Sequence, residues 1–328
     1  MKILMFNARP SEANDIQDFE KQNHVKIDTT DKSLTMDTVN MLKEYDGLST
    51  HTIDKDPAIY EKLAQFGIKQ IAIRHTGYEI VNLKAATKNH LVVTNVPGYS
   101  PRSVSELVLM HVIMLLRHFK KIVRREQQGN FLWAGTMSKE LYNLTVGVIG
   151  AGKIGSEVAR VFKALGCNVI ANDPIHRNSL EAIVKYVPLK ELLTNADIVT
   201  LHTPLLDSTH HLIDSDEFKL MKKSAFLINA SRGAVVNTQA LIDALKHKQI
   251  AAAGLDTIEG EDPLFDHKLS HMPTGNQFFN ELQKMDNVNI TPHIGFNTDV
   301  SNRNMVFTSL GDAIKGIKGE KVEDQVNK

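Results

Sequence analysis

The reactive side chains of this sequence stand directly after apolar runs. Thr145-Val146-Gly147-Val148-Ile149 leads into Gly150-Ala151-Gly152-Lys153-Ile154-Gly155, a G-x-G-x-x-G spacing. The first glycine permits a tight turn, the second lets a pyrophosphate approach the backbone, and the third lets a helix pack closely on the strand. The helix that follows offers unpaired N–H groups and a positive dipole end to phosphate. Glycine-rich turns are common, so the spacing alone is weak. Its surroundings sharpen it. Ile154, Val158, Val161, Phe162 and Leu165 recur at helical spacing, Gly166 stands where a C-cap belongs, and Val169-Ile170-Ala171 then leads to Asp173. A carboxylate at that distance accepts from the ribose hydroxyls of NAD and repels the 2′-phosphate of NADP. The pattern predicts an NAD site, with Arg177 as a cation that could weaken the discrimination. A purely structural βαβ turn is the competing explanation.

Ligands of open parallel sheets bind outside the carboxyl ends of the strands. The polar residues that follow apolar runs are Thr76-Gly77, His202-Thr203-Pro204, Asn229-Ala230-Ser231-Arg232, Asp256 and His293. A nicotinamide-dependent step on a small oxo acid would need a cation for the carboxylate, a proton donor for the carbonyl oxygen, and a group that tunes the donor. Arg232 suits the first need, because guanidinium binds carboxylate in fork geometry. Of the 14 histidines, His202 and His293 both end strands, and position does not separate them. His210-His211 and His267/His271 have spacings seen in metal sites, but no coherent ligand set accompanies either pair, so no metal is expected.

These residues need a scaffold that aligns strand ends. Short apolar runs at Lys2–Asn7, Val25–Asp28, Asp46–Thr50, Ile71–Arg74 and Leu91–Thr94 alternate with helical patterns. The clearest helix is Pro57 to Phe66, with Asp56 as cap and Gly67 as terminator. Pro97-Gly98-Tyr99-Ser100-Pro101 is a turn cluster. A long helix is expected after it, to about Arg125, with Ser103 and Glu106 as a capping box. Its segment Leu107–Leu116 is apolar nearly all round and should be buried on several sides. Further strands are expected at Ile198–His202, Ala225–Asn229, Ala251–Leu255 and Val288–Thr291, with a helix at Asn237–Lys246. Val300–Lys315 is helical in pattern and should return to the first domain. The fold class is α/β, with two doubly wound parallel-sheet domains and a cleft between them. Residues 1–100 plus 298–328 form one domain, and residues 101–297 the other.

Bulk properties exclude several classes. The 328 residues carry 38 basic and 38 acidic side chains, a formal charge of +0, which disfavours a nucleic-acid or membrane-surface binder. The cations Arg117, Lys120, Lys121, Arg124 and Arg125 suit a solvated helix end better than a nucleic-acid patch. The single cysteine, Cys167, excludes an internal disulfide and fits a reducing compartment. No signal-peptide pattern opens the chain, so a cytoplasmic location is expected. No apolar run reaches the ~20 residues of a membrane span.

With these motifs in view, the sequence resembles the D-isomer-specific 2-hydroxyacid dehydrogenases over nearly its whole length. The resemblance rests on Gly150–Gly155, Leu227-Ile228-Asn229-Ala230-Ser231-Arg232-Gly233, Gly254-Leu255-Asp256-Thr257 and Thr291-Pro292-His293. It is strongest toward the lactate branch, through Asn95–Pro101, Asn302-Arg303-Asn304-Met305 and the long loop from Gly260 to Met285. It implies a flavodoxin-like substrate domain and a Rossmann NAD-binding domain. It implies NADH-dependent reduction of a small 2-oxo acid, pyruvate first, to the D-2-hydroxy acid. It assigns proton donation to His293, the partner acid to Glu261 and substrate binding to Arg232. Thr76, Gly77, Tyr99 and Phe296 match substrate positions. Gly150, Gly152, Lys153, Ile154, Gly155, Asp173, Thr203, Pro204, Thr209, Ala230, Ser231 and Asp256 match cofactor contacts. A homodimer is implied as well. Tyr78-Glu79 and His51 depart from the lactate branch, which leaves bulkier 2-oxo acids such as 2-oxoisocaproate open. An NAD(H)-sensing protein is the alternative from a different functional class.

Overall fold

The computed structural model describes residues 1–270, 272 and 275–327; His271, weighed above as a ligand, lies outside them. The chain divides into two compact units, unit 1 being Met1–Ser100 with Phe296–Lys328 and unit 2 being Pro101–Gly295.

Unit 1 is built on β1 (Lys2–Met5), β2 (Lys26–Thr29), β3 (Gly47–Thr50), β4 (Gln70–Ile73) and β5 (Val92–Thr94). They pair in parallel in the order β2-β1-β3-β4-β5, the flavodoxin-like arrangement. Every residue of β3 and β4 is buried, as two covered sheet faces require. The helix Pro57–Gln65 begins where the Asp56 carboxylate accepts the Ala58 N–H at 2.9 Å. It stops before Gly67, whose φ of +82° suits the missing Cβ. The helix Asp299–Lys318 returns to this sheet, and Ser309 Oγ lies 2.7 Å from Ser49 Oγ of β3. Its Gly316 sits so close to Gln70 that a Cβ would stand 1.8 Å from Gln70 Oε1.

A charged cluster is enclosed at the carboxyl ends of these strands. Glu12 is 1% exposed and Arg74 is fully buried, with Arg74 Nε 3.3 Å from Glu12 Oε1. Arg74 also donates to the carbonyls of Phe6 and Asn7 at 2.7 and 3.0 Å and to Ser49 Oγ at 3.1 Å. Burial pushes the Glu12 carboxyl up. The guanidinium of Arg74 and the Arg9 N–H, 2.7 Å away, outweigh it and bring the group down from 4.5 to about 2. His51 Nε2 stands 3.7 Å from Glu12 Oε1 on the same side and adds to the lowering. Burial, then the charge of Arg74, pushes His51 itself down to about 3, so its ring is neutral near pH 7.

Unit 2 carries β6 (Thr145–Ile149), β7 (Asn168–Asn172), β8 (Lys185–Tyr186), β9 (Ile198–Leu201), β10 (Phe226–Asn229), β11 (Ala252–Leu255) and β12 (Val288–Ile290). All are parallel, in the order β12-β11-β10-β9-β6-β7-β8. Read from β8, this is the Rossmann order extended by one strand. The short edge strand β8 escapes the sequence pattern, since two residues carry no periodicity.

The long helix after the turn cluster differs from expectation. It runs Pro101–Leu116, then breaks, and a second helix spans Phe119–Glu126. His118 takes the left-handed conformation, φ +53°, at the break. Pro101 rather than Ser103 opens the helix. Ser103 lies inside the first turn and its hydroxyl donates to the Gly295 carbonyl, so the capping box does not form. Burial is one-sided rather than on several sides: Met110 and Ile113 are exposed, while the opposite face is buried within unit 2, where His111 packs against Gly254 of β11 and a Cβ on Gly254 would lie 2.8 Å from that of His111. The cations after it are structural. Lys120 Nζ donates to the carbonyls of Gln283, Met285 and Val288 at 2.7, 2.8 and 3.0 Å. Arg124 pairs with Asp286 at 2.6 Å.

Because Glu12 ionises more readily in the fold than in the unfolded chain, its contribution is complete above about pH 4.5 and disappears as the pH falls toward about 2. Glu12→Gln should therefore be less stable than the parent at pH 7 by about 3 kcal/mol. In urea unfolding the gap should close on acidification through that window. A gap independent of pH would contradict the assignment.

Candidate active site

The glycine turn of unit 2 is shaped by contacts that leave no room for side chains. Gly150 has φ +87°, and a Cβ there would lie 2.8 Å from the His202 carbonyl. A Cβ on Gly155 would fall 1.9 Å from Gly150 O, so the helix Lys153–Ala164 can approach β6 only with glycine at 155. Gly152 differs: nothing lies within 4 Å of a Cβ built on it. It is also the N-cap of the helix and offers no side-chain cap to the first-turn N–H groups. An open face over the first turn of a helix fits a pyrophosphate. Lys153 and Ile154 form the first turn beside it.

Asp173 follows β7. Its Oδ2 accepts the Ala151 N–H at 2.7 Å and its Oδ1 the Ile175 N–H at 2.7 Å. The carboxylate is thereby fixed against the glycine turn. Arg177 reaches the same turn, donating Nε–H to Ala151 O at 2.8 Å. After β9, Thr203 Oγ1 is buried with no hydrogen-bond partner among the described residues. Such an orphaned hydroxyl fits a site shaped to receive a polar ligand. Thr209 Oγ1 donates to Pro204 O at 2.6 Å and accepts the Leu206 N–H at 2.8 Å, closing the loop. After β10, Ala230 and Ser231 precede Arg232, and Ser231 Oγ donates to Asn229 Oδ1 at 2.9 Å. Arg232 is half-buried and donates from a terminal nitrogen to Ser231 O at 2.8 Å.

The most constrained turn follows β12. Asp256, 2% exposed, accepts from Thr291 Oγ1 at 2.6 Å and from the N–H groups of Ile294 and Gly295, both at 2.9 Å. Its carbonyl accepts the His293 N–H at 2.9 Å. These bonds hold His293 at φ +53°, a left-handed conformation that costs a non-glycine residue ~1–3 kcal/mol. His293 Nδ1 then lies 2.6 Å from Glu261 Oε1, and Glu261 Oε2 accepts the Ile258 N–H at 2.6 Å. Asp256 is the residue expected as a cofactor contact, and its carboxylate also builds this turn. Sequence reading also overlooked His111, whose Nε2 lies 3.0 Å from Thr291 Oγ1. Its only sequence signal is a lone histidine in an apolar helix.

The structure separates the histidines that sequence position could not. His202 Nε2 lies 2.8 Å from Thr200 Oγ1, and burial pushes the ring down to about 3. It is neutral near pH 7. His293 instead shares a short bond with a carboxylate and keeps a 39% exposed side chain. With Nδ1–H donated to Glu261, Nε2 is the nitrogen left for proton exchange. Arg232, Glu261 and His293 thus follow β10, β11 and β12, three neighbours in one parallel sheet, at the same carboxyl rim.

Unit 1 groups the other expected residues at its own carboxyl rim. Thr76 and Gly77 follow β4, with Thr76 Oγ1 donating to Val96 O at 2.9 Å and Asn95 Nδ2 donating to Thr76 O at 2.6 Å. Tyr99 follows β5, and its carbonyl accepts from Asn304 Nδ2. Phe296 lies with Arg9, whose guanidinium carbon is 5.3 Å from the ring centre.

Residues 109–295 match the family described as D-isomer specific 2-hydroxyacid dehydrogenase, NAD binding domain. A Clostridioides difficile protein named D-2-hydroxyacid dehydrogenase (NAD(+)) is 39% identical over 333 residues, covering 100% of each chain. The solved structure of a D-lactate dehydrogenase from Sporolactobacillus sp is 47% identical, covers 100% of this chain and 99% of its own, and superposes with a TM-score of 0.89. The NAD-complexed D-isomer specific 2-hydroxyacid dehydrogenase from Lactobacillus delbrueckii ssp. bulgaricus is 41% identical over 99% of this chain and 100% of its own, also with a TM-score of 0.89. Likeness along the entire length, added to a dinucleotide turn and a paired imidazole on one rim, makes this chain a member of the NAD-dependent D-isomer specific 2-hydroxyacid dehydrogenases.

Proposed function

We propose that the protein reduces pyruvate to D-lactate with NADH, reversibly, with His293 as the proton donor. The observation that carries the reading is the 2.6 Å bond between His293 Nδ1 and Glu261 Oε1, on the rim that also carries Arg232. NADH, when bound, supplies the hydride. Gly152, the helix donors, Asp173, Thr203 and Ser231 would hold the dinucleotide, and Pro204, Thr209 and Ala230 would line it. Arg232 binds the substrate carboxylate and stabilises charge that develops on the oxo oxygen. Glu261 fixes the imidazole tautomer, and Nε2 passes the proton to the oxygen. Thr76, Gly77, Tyr99 and Phe296 are the further substrate contacts. The likeness to a D-lactate dehydrogenase at 47% identity favours pyruvate.

We also read the protein as a cytoplasmic homodimer. Phe131, Leu132, Trp133 and Met137 are 72, 71, 91 and 94% exposed, an apolar group that calls for a covering surface. Their segment is already ordered. Arg125 and Lys121 donate to the carbonyls of Ala134 and Gly135 at 2.8 and 2.9 Å.

Purified protein should oxidise NADH with pyruvate, and kinetics across a series of 2-oxo acids should peak there. A maximum at 2-oxoisocaproate or phenylpyruvate would move the assignment to a bulkier substrate, and absence of turnover with every oxo acid would favour a sensor. His293→Ala should cost about 10²–10⁴ in kcat. Glu261→Gln should also lower kcat, by less, because the imidazole remains. Near-full activity in a folded His293→Ala protein would remove the proposed donor. Trp133→Glu should convert the dimer to a monomer in light scattering.

A further inference from the structure

His210 and His211 close the loop that leaves β9, and the fold brings Glu259, from the loop after β11, against them. The two imidazoles stack with centroids 4.0 Å apart and planes 29° apart. His211 holds φ +50°, and its N–H donates to Ala234 O at 2.8 Å, so its backbone is fixed. Its Nε2 lies 2.8 Å from Glu259 Oε1. Glu259 is held from behind: Oε2 accepts the Thr238 N–H at 2.8 Å, and Asn276 Nδ2 donates to the carbonyls of Glu259 and Gly260, both at 2.9 Å. One ligand atom from each of His210, His211 and Glu259 lies within 4.8 Å of the other two.

We propose that His210, His211 and Glu259 bind a divalent transition-metal ion of the zinc, cobalt or nickel class, with water completing its shell. Two imidazoles and one carboxylate form a three-ligand set that leaves an open position. Imidazole selects this class over magnesium and calcium, which take oxygen ligands. The ion replaces the proton shared by His211 and Glu259, and that pair opens by about half an ångström to reach bond lengths near 2.0–2.2 Å. His210 is exposed, so the site is open to solvent and its ring can adjust. The ion ties the loop holding Thr209 to the loop holding Glu261. Binding to the folded state alone would then raise the thermal midpoint with metal concentration. The inference rests on the ligand geometry and is independent of which oxo acid is reduced.

The test uses the full chain after chelator treatment, titrated with Co²⁺ by visible absorption and with Zn²⁺ by calorimetry and thermal melting. The expected result is saturable uptake of about one ion per chain and a rising midpoint. His210→Ala removes an exposed ring and should weaken the affinity about 10-fold or more, as should Glu259→Gln. His293→Ala should leave it unchanged, which excludes capture by the His293–Glu261 pair. Absence of saturable uptake, unchanged affinity in His210→Ala, or loss of uptake in His293→Ala would each overturn the proposal.

Discussion

The carboxylate of Asp256 fixes the chain where it leaves the last strand of unit 2. One buried side chain binds Thr291, Ile294 and Gly295, while its backbone carbonyl takes the His293 N–H. Without these acceptors the left-handed turn at His293 would relax, because a side chain at positive φ is unfavourable. In that conformation the imidazole meets Glu261 at 2.6 Å. Gly295 belongs to the same arrangement, since a Cβ there would stand 2.9 Å from Asp256 Oδ2. The donor proposed for the reaction is therefore positioned by residues that are not themselves placed in the chemistry.

Environment assigns different work to the same ring. Burial pushes His51, His111 and His202 down to about 3, 4 and 3, so these imidazoles are neutral near pH 7. His293 and His211 instead sit against carboxylates at 2.6 and 2.8 Å. Desolvation disfavours a charged imidazole, which marks the three enclosed rings as structural. Unit 1 uses the same balance in Glu12 and Arg74. That enclosed pair is weak evidence for net stability, but removing either partner leaves a buried charge unmet. What it secures is geometry: Arg74 ties β1, β3 and β4 together at their carboxyl ends through Phe6, Asn7 and Ser49.

Most elements could be read from the chain. Apolar runs bounded by glycine and proline marked the strands, because fully covered parallel strands need unbroken apolar sequence. The helix Pro57–Gln65 could be read because its cap and terminator are local. The helix predicted to about Arg125 failed at His118, where the backbone turns left-handed without glycine or proline to announce it. Ser103 had the right spacing for a cap, yet Pro101 starts the helix and Gly295 claims the hydroxyl. That partner is 192 residues away, beyond the reach of any local pattern.

Sequence by itself determined the dinucleotide turn, the alternating α/β order and the residues that end each strand, since all of these depend on neighbours within a few positions. Position along the chain left His202 and His293 equal, so that only the family resemblance favoured His293, and it gave His210 and His211 no third ligand. Tertiary structure distinguishes the two rings and brings an acid to the pair. It buried one imidazole and set the other beside Glu261, and it carried Glu259 to the histidine pair. Desolvation and contact across 32 or 48 positions arise only when parallel strands align their carboxyl ends, so no stretch of chain contains them beforehand.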